Sequence, residues 1–476
     1  MPAPRHVPAP SLTPAADACY TRRVRVWSNL AGMRGGRRLS VILFAAILPG
    51  MAFAQSSPLG SEFQVNTYTT RNQYMAAVAT DPSGGFVVVW TSYRQDGSDF
   101  GVFGQRFASS GAPLGSEFQI NTYATNSQRR PGVATDPSGG FVVVWASTTQ
   151  DGDDSGIFGQ RFASSGARLG SEFQVNTYTT AAQYYPVVAT DPSGGFVVVW
   201  QSYWQDGDSV GVFGQRFTSS GAALGSEFQV NTYTTSGQSR PAVATDPSGD
   251  FVVVWASYRQ DGDNLGVFGQ RFASSGAGLG SEFQVNTYTT AAQYYPVVAT
   301  DPSGGFVVVW ASFTQDGYNL GVFGRRFTSS GAAVGSEFQV NTHTTSQQSR
   351  PAVAADPSGG FVVVWQSLFQ DGYGYGVFGQ RFASSGAALG SEFQVNTYTT
   401  NDQSFPVVAA DPSGGFVVVW ASVPQDGNGF GVFAQRYGVR PASPSVPVPA
   451  WSRASLLLTL CLLGGFGVMR LRRRKI

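Results

Sequence analysis

The chain has 476 residues with a formal net charge of +1, and its charge is unevenly placed. Residues 55–450 hold 17 Arg, no Lys and 28 Asp plus Glu, a net of −11, so the positive charge sits in the terminal segments. An acidic central body argues against nucleic acid or an anionic membrane as partner, and the two cysteines, Cys19 and Cys461, fall outside it, which excludes disulfides and a Cys-based metal site there.

In chain order, residues 1–32 have no place in a targeting signal and read as an over-long gene start, with Met33 as the expected first residue. Met33–Arg38 is basic, Leu39–Met51 is mostly apolar and Ala52-Phe-Ala54 is a small-x-small site, so residues 33–54 predict a secretory signal peptide. Residues 55–440 are seven copies of a 55-residue unit, marked by Trp90, Trp145, Trp200, Trp255, Trp310, Trp365 and Trp420. Such a period belongs to a propeller, solenoid or array.

Each unit reads as four short strands. In the first, Ala76–Thr80 is a strand of small residues suited to a crowded channel, called A. Asp81-Pro-Ser-Gly-Gly85 is a turn, because Asp opens it, Pro presets φ and Gly accepts positive φ. Phe86–Trp90 (B) is β-branched and aromatic throughout, as a strand buried on both faces should be. Gly101–Phe107 is C and Glu117–Asn121 is D. No window shows a helical period. The expected fold is therefore all-β, a seven-bladed β-propeller of four-stranded 55-residue repeats. The period exceeds that of WD40 and kelch units. The chain starts with an orphan D strand, Glu62–Asn66, and ends after C of the last unit. The orphan should complete the last blade, close the ring and cover its edge.

The copies vary in two places, the D–A loop and the B–C loop, which emerge on one face in an up-and-down blade. This face displays Tyr93, Arg94, Tyr184, Tyr185, Tyr203, Trp204, Tyr258, Arg259, Tyr294, Tyr295, Phe313 and Phe369, the candidate ligand-binding residues. Exposed Tyr, Trp and Arg suit protein hot spots, and flat aromatic faces stack on sugars. Plain drift in solvent-exposed loops is the alternative. The B–C loops also carry clustered acids, Asp151, Asp153, Asp154, Asp206, Asp208, Asp261 and Asp263. They are candidate Ca²⁺ ligands, against the alternative of simple Asp-Gly turns. Glu62-type and Arg106-type residues are expected to form outer-edge ion pairs.

No catalytic residue is expected. His343 is the single histidine of the repeats, and every strong acid is copied around the ring, whereas a glycosidase needs two unequal acids at one place. The expected function is a non-catalytic binding or adhesion module, contacting a glycan or a surface protein with avidity over quasi-equivalent sites. The alternatives are a structural surface protein and a sialidase-like hydrolase.

Residues 441–453 are a Pro-rich linker, and Ala454–Met469 is an uncharged, mainly apolar run followed by Arg470, Arg472, Arg473, Arg474 and Lys475. This reads as a membrane helix whose basic end stays cytoplasmic. The order Val446-Pro-Val-Pro-Ala-Trp451, apolar run and Arg cluster resembles the PEP-CTERM and IPTL-CTERM bacterial sorting tails. It lacks the Pro-Glu-Pro and Ile-Pro-Thr-Leu patterns. The resemblance implies a Gram-negative cell, an exosortase-like sorting enzyme and delivery to the outer surface or medium.

Overall fold

In the computed structural model, residues 56–439 are described. The signal peptide, linker and sorting tail expected from the sequence lie outside them. The described residues fold into seven antiparallel sheets, one per repeat. Among them no helix is long and apolar enough to cross a membrane. Blade 1 comprises strands A (Gln73–Thr80), B (Phe86–Tyr93), C (Phe100–Phe107) and D (Phe118–Gln119). The following blades repeat this pattern every 55 residues, and the A strands pack side by side around a central channel, the last against the first.

Strands A and B run three residues beyond the sequence expectation toward the variable face. There, polar Gln73, Ser92 and their copies are fully buried. Gln73 donates to the Thr70 carbonyl and accepts from Asn66, so the buried amide is satisfied. Strand B is the core of every blade: Val88, Val89 and Trp90 have no exposed surface. Its alternate residues pack into the two neighbouring blades, which is why a run apolar on every position is needed.

The ring closes as expected, by two short strands rather than one. Ser56–Pro58 and Phe63–Gln64 both pair with the last strand, Gly431–Val439. Val65 is buried, its N–H donates to the Val432 carbonyl at 2.8 Å, and Asn66 Oδ1 accepts from the Val432 N–H at 2.7 Å. The same pair of bonds recurs in interior blades, for example Val230 to Val212 and Val212 to Asn231.

Among the described residues no Glu–Arg ion pair of the expected kind is seen. Each Glu instead clips the previous blade: Glu227 Oε2 accepts from the Thr177 N–H at 2.6 Å and its hydroxyl at 2.9 Å, and Glu62 repeats this with Thr397 across the closure. In six blades the corresponding Arg reaches forward to the C–D turn of the next blade. Arg161 donates to the Ser220 carbonyl at 2.6 Å and also to that of Ser219. A planar fork matches two adjacent carbonyls, and the turn leaves those carbonyls free. One ion pair is seen among the described residues, Arg381 with Asp356 at 3.8 Å.

Candidate functional site at the channel mouth

One residue in each A strand faces the channel at the variable face, and a bulge puts it there. In blade 3, Tyr184 pairs with Gln201 and Val187 with Val199, so Tyr185 and Pro186 together oppose Trp200. An extra residue bends the strand and re-aims its side chain. All seven blades carry this bulge, and its first residue always has a left-handed backbone: Met75 (54°), Arg130 (58°), Tyr185 (55°), Arg240 (55°), Tyr295 (54°), Arg350 (51°) and Phe405 (57°). Non-glycine residues in that region are strained and cluster at functional sites. Neighbouring blades pin three of the bulges, as Thr91 Oγ1 accepts from the Arg130 N–H at 3.1 Å, Gln201 from Arg240 at 3.2 Å and Gln366 from Phe405 at 3.2 Å.

These seven side chains converge on one funnel of about 320 Å³. Going around the ring, Arg and aromatic residues alternate, with Met75 filling the odd place. Arg130 lies 3.9 Å from the Tyr185 ring centre, Arg240 lies 5.2 Å from Tyr185 and 4.5 Å from Tyr295, and Arg350 lies 4.9 Å from Tyr295 and 4.4 Å from Phe405. Each contact is a cation–π pair, which stabilises a guanidinium without using its N–H groups. Among the described residues those N–H groups have no protein acceptor. The funnel's lining carries no carboxylate, and below the Arg–aromatic collar come Pro131, Pro186, Pro241 and their equivalents, with Val187, Val297 and Val407. Burial holds the Arg350 guanidinium below the usual arginine value; Tyr295 opposes this, while Arg240 and Arg130 add like-charge repulsion.

The opposite mouth is uniform. Thr80, Asp81, Pro82 and their copies line a wider space of about 570 Å³, in which blades 6 and 7 have Ala355 and Ala410 for Thr. Each Asp is committed to its own turn: Asp191 Oδ1 accepts from the Ser193 N–H at 2.8 Å, the Ser193 hydroxyl at 2.5 Å and the Gly195 N–H at 3.0 Å. The channel therefore has a cationic mouth on the variable face and a ring of turn-capping carboxylates on the constant one.

Of the residues expected to bind ligand, Tyr185 and Tyr295 reach the funnel. Tyr184 stays outside it, its hydroxyl 3.3 Å from Asp154 and its ring edge-on to Tyr203 at 6.3 Å. Tyr294 packs beside Tyr295 at 6.2 Å. Arg94 covers the ring of Tyr93 at 5.2 Å, and Arg259 covers that of Tyr258 at 5.0 Å. Trp204 and Phe369 are each 61% exposed and Phe313 43%, which makes them free rim residues on the same face. Tyr318 (62%) and Tyr373 (59%) join them.

Arg130, Arg240, Arg350 and Phe405 were not singled out from the sequence. Their signal was the residue before each repeated proline, which runs Arg, Tyr, Arg, Tyr, Arg, Phe from blade 2 to blade 7.

Six of the seven acids proposed for Ca²⁺ accept hydrogen bonds from protein donors. Asp151 and Asp206 accept from the side-chain amides of Asn176 and Asn231 at 3.3 and 3.4 Å, and Asp261 accepts from Asn286 at 3.5 Å. Asp153 and Asp208 cap the next D–A loop through the Ala181 and Ser236 N–H groups, at 3.0 and 2.9 Å. The Asp263 N–H donates back to Asp261. Among the described residues no three His, Cys, Asp or Glu side chains gather to hold a metal ion.

No known family matches the sequence, and no curated protein matches it. Solved structures do. A protein of unknown function from Dyadobacter fermentans superposes with a TM-score of 0.50 at 11% identity, over 83% of this chain and all of that one. An α-L-arabinofuranosidase from Fusarium graminearum gives 0.45 at 14% identity, over 79% of this chain and 98% of its own. A microbial sialidase gives 0.42 at 9% identity, over 71% and 73%. At such identities the likeness concerns the fold alone. It nonetheless corrects one expectation. Propeller glycosidases stand among the similar structures, so the inference from sequence that this chain is no enzyme is withdrawn; the fold gives no ground for it.

Proposed function

We propose that the chain is a surface-delivered binding module whose ligand, a glycan or a surface protein, enters the funnel at the variable mouth. The supporting observation is the lining of that funnel. The seven copies agree almost everywhere, yet at this one position they bring three guanidiniums together between aromatic rings. Convergent like charges and strained backbone do nothing for the core. Departures of this kind are expected where a partner makes up the difference. A cleft of one charge sign also focuses its field and draws a ligand in. Export fits this role through the N-terminal signal and the resemblance of the tail to bacterial sorting signals, which would bring in an exosortase-like enzyme and a C-terminal membrane anchor.

The test is a glycan array with the purified full-length chain, its Tyr185→Ala and Tyr295→Ala variants, and Tyr93→Ala as a control outside the funnel. Selective binding that drops about tenfold or more in the first two and less than twofold in the control is expected, with melting temperatures unchanged. Binding indifferent to both funnel tyrosines would place the ligand elsewhere.

A further inference from the structure

Resting on that reading, we infer that the funnel takes an oxyanion, a carboxylate or a sulfate, carried on a saccharide, and that each ring takes one. The argument begins with donors. A guanidinium offers five N–H groups in a rigid fork that matches two oxygens of a carboxylate or sulfate. Arg130, Arg240 and Arg350 spend their faces on Tyr185, Tyr295 and Phe405, at 3.9 to 5.2 Å, and spend no fork on protein. The rings fix the cations before any ligand arrives, which lowers the ordering cost of binding.

Charge decides the kind of anion. The repeats carry a net −11, and the far mouth of the channel is ringed by carboxylates. A densely charged polymer would be repelled by most of this surface, whereas an isolated acidic group would meet the three arginines alone. The rest of the ligand must be amphipathic, because proline and valine lie under the collar and exposed Trp204, Phe313 and Phe369 stand on the surrounding rim. A sugar ring has both an apolar face and polar edges. A volume of about 320 Å³ is at the small end for ligand sites and suits one acidic unit. Because the seven positions share one mouth, they form one site rather than seven.

The experiment is calorimetric titration of the full-length chain with matched oligosaccharide pairs. One pair differs only by oxidation of a hexose to a hexuronate, the other only by a single sulfate. The expected result is one-to-one binding of the acidic member, at least tenfold tighter than the neutral one. Arg130→Gln, Arg240→Gln and Arg350→Gln should each weaken it by about tenfold or more, the loss of a charge-assisted pair. Arg168→Gln on the outermost strand of blade 2, where blade 3 has Ala223, should change it less than twofold. Comparison of the two pairs tells which oxyanion is preferred. Equal affinity within both pairs, or acidic binding that survives all three Arg→Gln changes, overturns the inference but leaves a funnel sensitive to Tyr185→Ala intact. No binding in any pair at millimolar concentration also overturns it, and the array with the tyrosine variants then decides the broader reading separately.

Discussion

Val65→Ala tests whether the N-terminal segment is a true member of the last blade. Val65 and Val230 occupy the same place, each 2% exposed, the first at the closure and the second between blades 3 and 4. Truncation to Ala removes two methyl groups, worth about 1.6 kcal/mol of transfer energy, and leaves a cavity, so a cost of about 2–3 kcal/mol is expected. The ring of residues 56–439 is large, and about 2.1 cal/mol/K of unfolding entropy per residue makes about 0.8 kcal/mol/K. The melting temperature should therefore fall by about 2–4 °C, and by the same amount in Val65→Ala and Val230→Ala. Thermal unfolding of the two variants beside the parent gives the answer. A clear drop in Val230→Ala with none in Val65→Ala would mean that the N-terminal strands are only loosely attached, and the closed ring would be refuted.

Two further outcomes follow from the hydrogen bonds and titrating groups. Thr135, Thr190, Thr245 and Thr300 each donate to the carbonyl of the preceding blade's Thr at 2.5 to 2.6 Å, and Ala355 and Ala410 interrupt this ring. Ala355→Thr and Ala410→Thr should restore it and each add about 0.5–1 kcal/mol in denaturant unfolding; a loss in both would refute the inter-blade role of the hydroxyl. Burial raises Asp206, Asp371 and Asp426 above the usual 3.8, with hydrogen bonds from Asn231, Asn396 and nearby backbone opposing it. These groups hold a proton more readily folded than unfolded, so stability should increase as pH falls from neutral through their raised values and level off below the ordinary one. With one ion pair to lose among the described residues, the melting temperature should hold or rise between pH 7 and 5; a steady fall across that window would contradict it.

Much of this architecture was legible in the chain itself. The period of 55, the all-apolar Phe86–Trp90 type strand and the leftover strands at the two ends define a closed seven-bladed ring, because strand pairing and burial act on neighbours in sequence. The two variable loops were also assigned to one face correctly, as bonds such as Tyr93 N–H to the Asn72 carbonyl, 3.0 Å, join them. The site was not legible in the same way. Tyr184 and Tyr185 look alike in sequence, but a bulge points one to the rim and the other into the funnel. Arg216 and Glu227 looked like partners, but each finds better geometry in a neighbouring blade. Local sequence set the strands, the turns and the order of the blades. Only closure of the ring brought Arg130, Arg240 and Arg350, 110 residues apart in the chain, into one mouth. Periodicity repeats a residue along the chain, and a circle of blades turns that repetition into convergence on an axis.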